Sequence, residues 1–300
     1  MKVHAEPKPL TEPLSGGSPG ATVVVEPIAA GHVRFPAEWF ERAEGTLGKL
    51  KAYGIGATWA YVPCPAFLVR HPTVGLILVD TGLHPSCATD PRQNMGRLAA
   101  WFAKPRLEPG EDMPARLRAR GVDARQVNVV IMTHLHSDHA SAVSEFSNST
   151  FVVSAAEWEA ATTDPRPTLR GYRPKQFDYV FDYRTIDYDS AAVDSYATFG
   201  RTFDLFGDGS VRLAYTPGHS AGHQSVVLKL KRRDFVVAGD AIYTYRQLED
   251  GPPPAHSVDE HRWRRSLQEL QLFRRNYPHA VIVPGHDAAF WPKLDARYED

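Results

Sequence analysis

Four short aliphatic runs in this chain stop at turns that carry histidine or aspartate: "VNVVIM" before "THLHSDH", then "LAYTPGH", "DFVVAGD" and "AVIVPGH". Runs of this length, rich in β-branched residues and closed by Gly, Pro or polar groups, are expected to be strands. Strand ends along one sheet edge lie side by side, so side chains remote in sequence can meet there on a rigid frame. The runs "ATVVVEPI", "FLVRHPTVGLILVDTG", "TFVVSA" and "SVVLKLKRRDFVVAGD" add further strands. A sheet-rich α/β domain follows.

Helices are expected between some of them. "SVDEHRWRRSLQELQLFRRNYP" opens with a possible Ser257/Glu260 capping box and spaces Trp263, Leu267, Leu270 and Phe273 on one helical face. "MPARLRARG" closes on Gly121, and Asp123 is placed to cap the turn into the strand at Val127. The first 20 residues, with Pro7, Pro9, Pro13 and Pro19 among several glycines, predict a flexible arm, leaving 21–300 as one domain. Residues 155–206, rich in Tyr, Asp and Pro with weak periodicity, predict a lid-like insertion whose Tyr172, Phe177 and Phe181 could line a substrate wall.

Charge and cysteine content narrow the function. The net charge is −1, so no global field favours nucleic acid or an anionic membrane. No apolar run approaches the ~18 residues of a membrane span, and "MKVHAEPKPLTEPLSGGSPG" lacks the apolar core of a secretory signal. A cytoplasmic enzyme with a small-molecule partner, and neither nucleic acid nor membrane, is the expectation; homo-oligomerisation is left open. Cys64 and Cys87 are the only cysteines, which excludes a disulfide framework and predicts buried packing residues.

The candidate ligands are His134, His136, Asp138, His139, His219, Asp240 and His286. Five imidazoles and two carboxylates exceed one tetrahedral zinc, which takes three protein ligands and water. They suit two metals sharing a bridging carboxylate and a bridging hydroxide. His134 and His136, two apart, can present both rings to one side, with Asp138 and His139 serving the neighbouring metal. His223 is expected to make a local hydrogen bond. His4, His32, His71, His84, His256, His261 and His279 have no partner spacing and read as surface or packing residues, and Asp287 as a supporting or solvated carboxylate.

"HLHSDH", "PGHSAGHQS", "GD" at 239–240 and "PGH" at 284–286 together resemble the metallo-β-lactamase superfamily, and "LVDTG" at 78–82 resembles its first motif. The likeness spans about residues 60 to 290. It implies an αββα sandwich of two mixed sheets flanked by helices. It also implies that His134, His136 and His219 hold one metal, that Asp138, His139 and His286 hold the other, and that Asp240 bridges them. Asp80 matches a supporting carboxylate that orients a ligand imidazole through its free N–H. Zinc is the expected cation, two per chain, with iron, manganese and cobalt compatible with the same donors.

Within the superfamily, no Cys lies between His219 and His286, unlike zinc β-lactamases, and the sequence ends at Asp300, soon after the last ligand. This resembles the N-acyl-homoserine lactonases, whose D-x-x-Y pattern appears as "DAIY", Asp240 to Tyr243. "ASA" at 140–142 departs from the Gly-Gly often found there. The resemblance implies hydroxide attack on a lactone carbonyl, Tyr243 stabilising the oxyanion and Asp138 relaying a proton to the leaving alkoxide. Hydrolysis of another ester, a thioester or a phosphodiester is the alternative. A non-catalytic metal binder and an iron redox protein are weaker readings, and no flavin-binding module is evident.

Overall fold

The computed structural model describes residues 3–300. Seven strands form one sheet: β1 (Lys8–Pro9), β2 (Val24–Pro36), β3 (Trp59–His71), β4 (Gly75–Val79), β5 (Val127–Ile131), β6 (Thr150–Ser154) and β7 (Asp182–Ile186). Their order is β1-β7-β6-β5-β4-β3-β2. The second sheet runs β13-β12-β11-β10-β9-β8, from β8 (Asp194–Tyr196), β9 (Phe199–Asp204), β10 (Val211–Tyr215), β11 (Gln224–Lys229), β12 (Asp234–Gly239) and β13 (Val281–Pro284). Both sheets are mixed: β4, β5, β6 and β7 pair parallel in the first, β12 and β13 in the second, and β2, β3 and β4 pair antiparallel.

Side-chain alternation makes the layers. Along β4, Ile77 and Val79 join Val226, Leu228, Phe235 and Val237 in a core between the sheets, while Leu78 faces the other way. The helices are α1 (Ala37–Phe40), α2 (Gly45–Ala52), α3 (Pro91–Met95), α4 (Arg97–Ala103), α5 (Met113–Arg118), α6 (Ser137–Ala140), α7 (Ala155–Thr163) and α8 (Glu260–Asn276). Leu117 of α5 and Trp158 of α7 cover the outer face of the first sheet. Leu270 and Phe273 of α8 cover that of the second. The result is helix, sheet, sheet, helix, as the motifs implied.

Three expectations need correction. Residues 3–20 are not a free arm: β1 pairs in parallel with β7, the Leu10 amide donates to the Thr185 carbonyl and the Leu14 amide to that of Leu205, and Leu10 is buried in the inter-sheet core. A sheet edge tolerates proline because an outward-facing position needs no N–H, so proline content misleads there. Met1 and Lys2 lie outside the described residues. Nor is 155–206 an insertion, because β7 extends the first sheet and β8 and β9 the second; the longest stretch in it without strand or α-helix is 164–181. There Tyr172 does line the site cavity, but Phe177 is fully buried against Trp158 and Phe181 stacks on Phe151. Finally, α8 is capped by Asp259, whose carboxylate accepts from the Arg262 amide, and not by Ser257. Asp123 caps its turn as expected, reciprocated by Gln126.

Leu10→Ala is expected to lower unfolding stability by about 2 kcal/mol in a urea titration, since it removes a buried side chain. An unchanged midpoint would restore the free arm.

Candidate metal centre

The two sheets end together at one pole of the sandwich, and the ligand-bearing turns close over that seam. His134 and His136 follow β5, and the single turn α6 carries Asp138 and His139. His219 follows β10, Asp240 directly follows β12, and His286 stands two residues past β13. Two of these approaches admit only glycine. A Cβ on Gly218, whose φ is +129°, would collide with the Trp263 backbone, and one on Gly285 would collide with Asp240 Oδ1.

All seven predicted ligands converge. His219 Nε2 lies 3.1 Å from His134 Nε2 and 2.9 Å from His136 Nδ1. Asp240 Oδ2 faces this group, 3.3 Å from His219 Nε2 and 3.8 Å from His134 Nε2. The other carboxylate oxygen, Oδ1, faces a second group, 3.4 Å from His139 Nε2 and 3.3 Å from His286 Nε2. Asp138 Oδ2 completes that group, 3.4 Å from His286 Nε2. One aspartate thus divides its two oxygens between two sets of donors.

The outward nitrogens fix where the protons are. His286 Nδ1 is 2.9 Å from the Pro63 carbonyl, which can only accept, and His139 Nδ1 is 2.8 Å from Asp80 Oδ2. Thr133 gives its hydroxyl proton to Asp80 at 2.7 Å and so accepts from His134 Nδ1 at 3.0 Å. His219 Nδ1 meets the Tyr243 hydroxyl at 2.7 Å. With protons held outside, lone pairs point inward at one another across roughly 3 Å, and the buried Oδ1 of Asp240 has no hydrogen-bond partner. Such a set repels itself unless positive charge sits within it.

Electrostatics agree. Burial and neighbouring imidazoles hold His134 well below its usual pKa, and burial outweighs Asp240 to do the same for His219. Burial also opposes charge on His139 and His286, yet the Asp240 carboxylate, helped by Asp80 and Asp138 respectively, raises both. The carboxylates therefore draw positive charge into the centre. Nitrogen and carboxylate donors in this arrangement fit two divalent cations, with three nitrogens on one side and two nitrogens plus Asp138 on the other. Neither cysteine takes part: burial pushes the Cys64 thiol well above its usual pKa, and it packs with Cys87 under Phe40 and Tyr243.

Supporting groups lock the turns. Asp80, at φ +56°, takes the Thr133 amide at 2.8 Å as well as the Thr133 hydroxyl and His139. His223 behaves as expected, with Nδ1 on Thr216 Oγ1 at 2.9 Å and Nε2 accepting the Asp240 amide at 3.0 Å. Asp287 takes the Tyr245 amide at 2.9 Å and steadies the stretch after Tyr243. Glu157 was not foreseen. Fully buried on α7, it accepts from the Leu135 amide at 3.0 Å, between the first two histidines. It also accepts from Ser220 Oγ at 2.6 Å and the Gly222 amide at 3.0 Å, just past His219. The signal was the "SAAE" spacing, which reads as a helix cap. Ser154 does accept from the Glu157 amide, but the Glu157 carboxylate turns to the ligand loops.

A cavity of about 520 Å³ opens on the centre. His136, Asp138, His219, Asp240, Tyr243 and His286 form its floor, and Val33, Phe35, Trp39, Phe40, Met95 and Phe102 an apolar wall. His256 stands beside Trp39 on the same wall, a packing role consistent with its lack of ligand spacing.

Comparison with known proteins gives the same answer as the motifs. The family model described as "Metallo-beta-lactamase superfamily" matches residues 60–286. The N-acyl homoserine lactonase AttM of Azorhizobium caulinodans is 32% identical over 242 residues, 80% of this chain and 88% of that protein. An N-acyl homoserine lactonase of Bacillus cereus is 29% identical over 71% of this chain and 77% of its own length. Among solved structures, a mutant of AiiA from B. thuringiensis, with N-decanoyl-L-homoserine at its active site, superposes with a TM-score of 0.73 at 22% identity, covering 94% of this chain and 98% of that one.

Glu157→Gln puts an amide group where three donors need acceptors. Metal affinity, read by competition with a chelator, is expected to fall about ten- to a hundredfold, while an unchanged affinity would show that the two ligand loops hold themselves.

Proposed function

The chain belongs to the metallo-β-lactamase superfamily, and from that premise we propose that it is a dinuclear metal hydrolase that opens the ester ring of an N-acyl-homoserine lactone. The observation that carries this reading is the division of Asp240 between two donor sets at the floor of an apolar cavity. A relative matched over 80% of this chain and 88% of its own length is a lactonase of that name, and the cavity pairs a polar floor with a wall suited to an acyl chain. We assign zinc to both positions because imidazole-rich sets suit it.

When bound, two such cations supply hydroxide at neutral pH by lowering the pKa of water from 15.7 toward about 7, and they polarise an ester carbonyl. The remaining work falls to side chains. Asp240 fixes the spacing of the two donor sets. Asp138, half-buried and lining the cavity, stands where it can take the proton of the attacking water and pass it to the ring oxygen as the carbonyl C–O bond breaks. Opening then yields an N-acyl-homoserine, with the water oxygen in its new carboxylate.

Tyr243 is assigned the developing oxyanion. His219 donates from Nδ1 to the phenol oxygen, so the phenol proton is free to point into the cavity. Burial, with Asp240 and Asp138 nearby, holds its pKa well above the ordinary value of 10, which keeps that proton in place. The donor therefore persists through the whole neutral and mildly alkaline range. Asp80 holds His139, and Pro63 holds His286, at fixed ring orientation.

Tyr243→Phe is expected to keep its metal complement while kcat for lactone opening falls about a hundredfold, the cost of one oxyanion donor. Unchanged kcat would remove Tyr243 from that role.

The decisive experiment combines elemental analysis with turnover of N-acyl-homoserine lactones, thioesters and phosphodiesters. Two zinc ions per chain with fast lactone opening is the expected result. Thioester or phosphodiester cleavage without lactone opening would transfer the site to the other ester hydrolases.

A further inference from the structure

We propose that the rim of this cavity is a docking surface for an anionic phospholipid bilayer. Most of the large apolar side chains left in solvent gather there rather than scattering. Tyr53, Leu98, Leu169 and Val258 line the cavity mouth and are 43–68% exposed. On the 45–55 segment that carries Tyr53, Leu47 and Ile55 are 65% and 61% exposed, and Trp101, one turn from Leu98 on α4, is 70% exposed.

The segments that carry them are neighbours in space. Tyr53 packs edge-on against Trp39, and Phe102 of α4 against Trp59 and Phe35, so α2 and α4 flank one aromatic cluster. The Arg173 guanidinium sits against Gly96 at the head of α4, which brings 166–173 to the same rim.

Charge on these segments is one-sided. Residues 45–55, 97–106 and 166–173 contain no Asp or Glu, but expose Lys49, Arg97, Lys104, Arg166 and Arg170. Acidic neighbours begin outside them, at Glu44, Glu108 and Asp164; Glu38 pairs with Lys51 at 3.8 Å and Asp164 with Arg170 at 3.7 Å, and on the Val258 side of the rim Asp259 and Glu260 pair with Arg262 at 3.5 Å and Arg264 at 2.7 Å. A net charge of −1 conceals this segregation, which is why the sequence argued against a membrane partner. Exposed apolar side chains among a local excess of cations form a surface that inserts shallowly at the acyl boundary while meeting anionic headgroups. A second copy of the chain fits less well, because a symmetric contact through this rim sets cations against cations. Among the described residues no helix is long and apolar enough to cross a membrane, so the attachment is peripheral. A cavity mouth resting on lipid would take amphiphilic substrate directly from the bilayer, whatever bond the centre cleaves.

The test floats the full chain with vesicles of phosphatidylcholine alone, or mixed equally with phosphatidylglycerol, at low and high salt. At least about tenfold more protein is expected on the anionic vesicles at low salt, and most of that is expected to be lost at high salt. Leu47→Ser with Trp101→Ser, and separately Lys49→Glu with Arg97→Glu, should each abolish the difference. All four positions are exposed and outside the cavity lining, so melting temperature and turnover of a short, water-soluble substrate should not change. Absence of flotation, or flotation indifferent to both pairs of changes, overturns the proposal. So does a sedimentation result in which the wild type is a dimer that these variants dissociate, since the rim would then be an interface between copies.

Discussion

The centre depends on hydrogen bonds that face away from it. Four imidazoles give their Nδ1 protons to Pro63, Asp80, Thr133 and Tyr243, and these bonds favour the tautomer in which the Nε2 lone pairs face inward. Together these acceptors hold the rings in one tautomer and one orientation, so the donor set keeps a common direction. The frame behind the acceptors is the pair of sheets. Pro63 sits in β3 and Asp80 just past β4, so ring orientation is inherited from backbone positions that the cores hold.

Glu157 and His223 extend the same logic across the seam. Glu157 draws the first two histidines and the His219 turn onto one carboxylate, although these belong to different sheets. His223 grips the backbone of Asp240 from a neighbouring strand end. A buried carboxylate with three matched donors is rigid because each donor left unpaired would cost on the order of 1–3 kcal/mol.

The convergence of the candidate ligands was legible because it rests on local pattern: β-branched runs set the strands, and Gly or Pro at their ends sets the turns; the layering was legible through the family resemblance of those turns. What escaped depended on partners supplied from elsewhere in the chain. Nothing near Pro7, Pro9 and Pro13 signals that β7 has an open edge to accept them. The stretch 182–204 reads as irregular because its strands belong to two different sheets and share no single hydrophobic period. Glu157 has the spacing of a helix cap and the function of a clamp, a difference that exists only once the loops arrive. Likewise, Ser257 has cap spacing, but Asp259, one position before the helix, is the residue whose carboxylate reaches the Arg262 amide.

The tight glycines beneath His219 and His286 divide the molecule by tolerance to change. At Gly218 and Gly285 any side chain strikes backbone or the candidate ligand Asp240, whereas the cavity wall is drawn from α1, α3, α4 and the irregular stretch near 170, where side chains border the cavity. Tolerance to change is therefore uneven: a substitution in the wall alters what the cavity admits, whereas one beneath the floor displaces a candidate ligand.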